Sequence, residues 1–242
     1  MSTLYQYSHF LAVTNGCYDG NLSIKELKKH GNIGLGTFNS LDGELVVVNN
    51  NFYHCSNGCV RVAFDHEMLP WAAVTNFQSE KFVTINDISS ISELELRLLA
   101  HFPSKNYPIA LYIESDVENI ALGSVPKQKR PYKPILQVID ESIFINTGRI
   151  NAKIVGFYAP GFIYPIKSNG IHLHFIDKNI CIGGHILDLN LISAKIYWQQ
   201  IDALNVIFPQ FDEYKHADLK LDIHSSHLPK FEDKLKRNHK ME

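Results

Sequence analysis

The chain has 242 residues, of which 45% are hydrophobic and 20% charged, with a formal net charge of −2. That length supports one large domain or two small ones with real cores. The balance of charge leaves no electrostatic footprint for nucleic acid or an anionic membrane, and no apolar run approaches the ~20 residues of a membrane span. The two basic clusters, Lys127-Gln-Lys-Arg130 and Lys234-Leu-Lys-Arg237, read as solvated surface. The start, Met-Ser-Thr-Leu-Tyr-Gln-Tyr-Ser, lacks a basic stretch followed by an apolar one, so no signal peptide is expected. Four cysteines without framework spacing fit reduced thiols, and the expected compartment is the cytoplasm.

In chain order, Ser23-Ile-Lys-Glu26 is a capping-box pattern that starts a short helix, with Gly31 as its C-terminal stop. Gly34-Leu-Gly-Thr-Phe-Asn39 only superficially resembles a dinucleotide fingerprint. The third glycine is missing and no helix pattern follows, so a nucleotide site is rejected. Strand-like runs follow at Gly43 to Val48, Asn51 to His54, Val60 to Phe64 and Trp71 to Phe77. Cys55-Ser-Asn-Gly-Cys59 reads as a hairpin turn with a thiol on either side, rather than a metal or disulfide loop. Ser92-Glu-Leu-Glu95 is a second capping box, leading a helix with Leu94, Leu98 and Leu99 on one face and closing before Pro103.

From Tyr107 onward the pattern is again mostly strand. The clearest runs are Ile109 to Ile113, Ile135 to Ile139, Ile154 to Tyr158, Ile171 to Ile176 and Ile180 to Trp198. The expected fold class is α+β, with two domains of mixed or antiparallel sheet and few helices. A soft boundary near Pro103 to Tyr107 divides residues 1–105 from a β-rich second domain, 106–242. That second domain carries the candidate site on a hairpin.

His172, His174 and His185 are the residues most suggestive of chemistry. His172 and His174 are spaced i, i+2, which puts both imidazoles on one face of a strand. With Lys178-Asn179 as a two-residue loop, His172 lies directly opposite His185 and Gly183 faces His174. Three imidazoles then converge, the ligand set of a catalytic metal with an open position. Zn, Fe, Ni and Cu all suit such a set. The plainer alternative is three ordinary strand histidines. Cys181 shares the parity of His185 but lies four residues away along the strand, and reads as core packing.

Several strings carry a resemblance. They include Tyr5-Gln-Tyr-Ser8, Tyr18-Asp-Gly-Asn21, Gly34-Leu-Gly-Thr-Phe-Asn39, Leu41-Asp-Gly-Glu-Leu45 and Pro131-Tyr132. His172-Leu-His-Phe175 followed by Gly183-Gly-His185 completes the pattern. From Leu4 to about Glu232 the chain resembles the alpha-acetolactate decarboxylase family. The resemblance implies a zinc enzyme that converts 2-acetolactate, a small 2-hydroxy-3-keto acid, into acetoin and carbon dioxide on the route to butanediol. It places the metal ligands on His172, His174 and His185 and one active-site carboxylate on Glu44. A second carboxylate falls on Glu232, with Asp233 and Glu242 competing for that role. It also implies a homodimer.

One departure stands out. The resemblance expects an arginine where this chain has Gly123, in Ala121-Leu-Gly-Ser-Val-Pro-Lys-Gln128. Glycine offers the substrate no cation. The chain is therefore expected to be a decarboxylase, or alternatively a low-activity or non-catalytic metal-binding relative. Lys127 and Arg130 are the nearest basic residues in sequence that could substitute. In the catalytic reading, a metal held by neutral imidazoles acts as a Lewis-acid electron sink for the departing carboxylate's electrons. Glu44 or Glu232 then protonates the resulting enediolate, provided that burial raises its pKa. Without the resemblance, Glu44 reads as a solvated turn residue after Asp42-Gly43.

Overall fold

The structure is a computed structural model that describes residues 1–220. Glu232, Asp233 and Glu242 lie outside the described residues. The helices are short: α1 (Phe10–Thr14), α2 (Ile24–Leu27), α3 (Ile91–Leu99), α4 (Ile135–Val138) and α5 (Asp212–His216). The strands up to α3 are β1 (Thr3–Tyr7), β2 (Leu22–Ser23), β3 (Ile33–Thr37), β4 (Glu44–Val48), β5 (Asn51–Ser56), β6 (Cys59–Val62), β7 (Met68–Leu69), β8 (Trp71–Thr75) and β9 (Phe82–Ile88). Then come β10 (Ile109–Ser124), β11 (Ile143–Asn146), β12 (Ile150–Ala159), β13 (Gly170–Asp177), β14 (Gly183–Gln200) and β15 (Ala203–Ile207).

The α+β expectation holds. Seven strands form one sheet in the order β15-β1-β8-β3-β4-β5-β6, and six form a second in the order β11-β10-β12-β13-β14-β9. In the second sheet β10 pairs with both β12 and β14, so β10, β12, β13 and β14 close into a ring. Closure leaves these strands without a free edge. The sheets exchange strands across the soft boundary near 103–107. β9 precedes that boundary and pairs with β14, while β15 follows it and pairs in parallel with β1.

Three apolar layers result. Ile113, Ile120, Leu173 and Phe175 fill the ring, capped by Leu94 and Leu98 of α3. Leu35, Val46 and Trp71 of the first sheet meet Val155 and Phe157 of the second. Leu45, Val47 and Val74 face the other way, toward Leu27 of α2. Alternation along β4 thus sends Val46 between the sheets and Leu45 outward.

Some local readings shift. The second capping box begins two residues earlier than expected: Ser90 Oγ accepts from the Glu93 N–H at 3.1 Å, and Glu93, not Glu95, is its partner. Ser23 caps α2 as read. Gly31 has another reason, because a Cβ there would come within 2.6 Å of the Thr75 amide nitrogen on β8. Ile135 to Ile139 is not a strand. It forms α4 and the first residue of the 3-10 turn that follows, because Ile135, Val138 and Ile139 fall at i, i+3, i+4 and are all buried, with Ile135 and Ile139 packed against Tyr18, Leu41 and Leu187. A five-residue run with four apolar positions carries either period until a packing partner selects one. The Cys55–Cys59 loop is a hairpin with two free thiols, Cys55 buried and Cys59 exposed.

Candidate metal centre

Asp177 sets the register of the histidine hairpin. Its carboxylate accepts from the backbone N–H groups of Asn179, Cys181 and Ile182, at 2.9, 2.6 and 2.8 Å. The turn is therefore four residues wide, not two, and Asp177 N donates to the Ile182 carbonyl. His174 pairs with His185, and Ile176 with Gly183. The expected pairings of His172 with His185 and of His174 with Gly183 are both wrong by two residues. Because the slip is even, His185 stays on the expected face. Cys181 falls in the widened turn and is exposed, not core.

The three imidazoles converge. Their nearest ligand nitrogens all lie within 4.8 Å of one another. His172 Nε2 and His185 Nδ1 are 3.2 Å apart. Two nitrogens on a tetrahedral metal at ordinary Zn–N lengths are about 3.3 Å apart. His174 Nδ1–H donates to the Leu45 carbonyl at 2.9 Å, which leaves Nε2 for the centre of the cluster. Such an outer hydrogen bond fixes a ligand's tautomer. Ser168 Oγ lies 3.4 Å from His172 Nδ1, and the indole of Trp71 stacks on His172, with centroids 5.7 Å apart and planes 9° apart. Burial pushes the His172 and His174 pKa values well below the ordinary histidine value, and the neighbouring histidines push the same way. The rings are thus held neutral, the state in which they ligate. The donor set, its spacing and its outer hydrogen bond fit a divalent metal.

Glu44 arrives from the first sheet. It begins β4, after a turn in which Ser40, Leu41 and Gly43 all have positive φ. Thr37 Oγ1 donates to the Gly43 carbonyl at 2.9 Å, and His54 Nε2–H donates to the Asp42 carbonyl. Arg61 donates to His54 Nδ1 at 2.5 Å and to Glu67, so the imidazole is fixed from behind. The Glu44 carboxylate ends 3.7 Å from His174 Nε2. Its side chain is 19% exposed, and burial pushes its pKa up to about 8. It is not a solvated turn residue. One strand thus delivers both this carboxyl and, through Leu45, the carbonyl that orients His174.

Above this floor lies a cavity of about 670 Å³, including its open mouth. Phe10, Val13, Leu41, Val125 and Ile135 make its walls largely apolar. Gly123 lines it, and a Cβ there would come within 2.6 Å of a Leu187 methyl. Among the described residues, no lysine or arginine lines it. Lys127 pairs with Asp42 at 2.7 Å, and Arg130 with Asp19 and Glu213 at 2.6 Å each, with both basic side chains exposed. Two residues that sequence reasoning did not single out stand close to the histidines. Trp71, in the sequence, marks only the start of a strand. Lys167, in the link from β12 to β13, is 1% exposed. A single lysine after the mostly apolar stretch Phe162-Ile-Tyr-Pro-Ile166 carries no pattern that marks it.

The family model described as alpha-acetolactate decarboxylase matches residues 4–221. An alpha-acetolactate decarboxylase of Brevibacillus brevis is 31% identical over 219 residues, covering 90% of this chain and 77% of that one. One from Methanosarcina mazei is 32% identical over 217 residues, covering 89% and 75%. The crystal structure of the enzyme from Bacillus subtilis strain 168 superposes with a TM-score of 0.91 at 28% identity, covering 96% of this chain and 99% of that one.

Proposed function

This chain belongs to the alpha-acetolactate decarboxylase family, and from that membership we propose that it converts 2-acetolactate into acetoin and carbon dioxide. The observation that carries the reading is the meeting of three imidazoles, two buried and one part-buried, and the part-buried Glu44 carboxyl on the floor of one largely apolar cavity. His172, His174 and His185 would hold the metal, which we take to be zinc. When bound, that ion supplies Lewis-acid stabilisation of negative charge on the substrate's oxygens.

The protein's own groups do the rest. The Leu45 carbonyl and the Trp71 ring hold His174 and His172 in place, so the substrate meets a preorganised floor. The apolar walls exclude water, which strengthens each polar contact inside. As the bond to the carboxylate breaks, its electron pair passes toward the neighbouring carbonyl and carbon dioxide leaves. The enediolate that remains needs one proton on carbon. Glu44, whose pKa burial raises to about 8 in the metal-free site, gives that proton from its carboxyl oxygen and recovers one from solvent. One proton is consumed per turnover, as the overall reaction requires.

Gly123 supports a second reading, a metal-binding relative with little or no turnover, because no cation among the described lining residues faces the substrate's carboxylate. Purified protein with its metal content measured and acetolactate as substrate separates the two. Acetoin and carbon dioxide released in equal amounts support the enzyme; no release at one metal per chain supports the relative. On family grounds we also infer a homodimer, which sedimentation would test.

A further inference from the structure

We propose that Lys167 is the cation that receives the substrate's carboxylate in this chain. The inference rests on the decarboxylase reading for the identity of the ligand and on the geometry around Lys167 for the residue. Lys167 is 1% exposed, and its amine has no hydrogen-bond partner among the described residues. It sits 4.5 Å from the ring centroid of Phe157 and 5.5 Å from that of Trp71. Both rings adjoin the metal cluster: Phe157 is the cross-strand partner of His172, and Trp71 stacks on His172 and lines the cavity. The segment is anchored just before it, where the Ile166 carbonyl accepts from Gln6 Nε2 and from the Phe10 N–H, each at 2.9 Å.

A buried ammonium held only by two π faces is under-compensated. Attraction to rings recovers a small part of what desolvation costs; a carboxylate would recover far more. Burial pushes the amine down to about 7, and an arriving anion would favour its charged form. Three further buried polar atoms nearby in the fold, Gln6 Oε1, Ser8 Oγ and Trp71 Nε1, also lack hydrogen-bond partners among the described residues. Ser8 directly follows β1, and Gln6 pairs with Ala73 of β8, two residues after Trp71. Gly123 contributes no side chain, and Lys127 and Arg130 are engaged elsewhere. Lys167 does not itself line the cavity, but Trp71 does, and no hydrogen bond among the described residues ties the Lys167 amine down; carboxylate binding requires its flexible stem to turn past Trp71 toward the substrate.

The test uses metal-loaded protein and two probes that cannot react. One is 2,3-dihydroxy-2-methylbutanoate, the substrate with its ketone reduced; the other is 2-methylbutane-2,3-diol, which lacks the carboxylate. The intact protein should bind the acid more tightly than the diol. Lys167→Met keeps the linear stem between the two rings and should weaken the acid about 10- to 100-fold, leaving diol affinity and metal content unchanged. Lys167→Arg should restore part of the preference. If Lys167→Met does not fold, Lys167→Gln carries the same comparison. An unchanged preference for the acid in the neutral variant would overturn the proposal, as would equal affinity of the intact protein for both probes. Lys167-dependent binding without acetolactate turnover would defeat only the reaction; turnover with an unchanged preference in the variant would defeat only Lys167.

Discussion

Burial of Glu44 makes a quantitative claim about stability. A carboxyl whose folded pKa is raised is ionised at lower pH in the unfolded chain than in the folded one. The folded state then loses stability as pH rises between the two values. Here the window runs from 4.5 to about 8. At about 1.4 kcal/mol for each pH unit, the full penalty is bounded at about 5 kcal/mol. The side chain retains 19% exposure, so solvent screening reduces the expected figure to about 2–4 kcal/mol. Glu44→Gln keeps the shape and cannot ionise. In chelator-treated protein, urea unfolding at pH 5 and pH 9 should therefore show the variant gaining about 2–4 kcal/mol on the parent at the higher pH. An identical stability difference at both values would refute the buried, protonated carboxyl in the metal-free protein.

Three other outcomes are expected. His174→Ala should lose bound metal and turnover together, read by metal analysis and an acetoin assay on the same preparation; one retained metal per chain would refute the ligand assignment. Glu67 is held at about 2: burial alone would raise it, but Arg61, the Phe64 N–H and His54 outweigh that. Its depressed value stabilises the fold above about 4.5, and this is lost as pH falls toward 2. Glu67→Gln should therefore cost about 1–3 kcal/mol in urea unfolding at pH 7, and less at pH 3. Gly123→Arg must displace the Leu187 side chain and should lower stability by about 1–3 kcal/mol by thermal unfolding; an unchanged melting temperature would show that Leu187 yields freely.

Much of the site was legible because strand parity survives error. The hairpin loop was assigned two residues instead of four, yet His172, His174 and His185 still share a face, since an even slip preserves the pleat. What parity could not supply was the loop itself. Three backbone N–H groups gather on the Asp177 carboxylate, and such local capture leaves no periodic trace. Ile135 to Ile139 differs for a related reason: four apolar residues around Gln137 fit both a strand and a helix, and only contact with Tyr18 and Leu187 chose.

Local order in the chain thus determined the strands, the first helix cap and the shared face of the three imidazoles, because side-chain direction alternates with the backbone regardless of what lies opposite. Packing of one sheet on the other decided the rest. It brought Glu44 and the Leu45 carbonyl from β4 to His174, laid Trp71 on His172, and enclosed Lys167 between aromatic rings. Apart from Lys167 and Phe157, ten positions apart, these contacts join residues 96 to 130 positions apart, where burial and charge come from neighbours that no stretch of sequence contains.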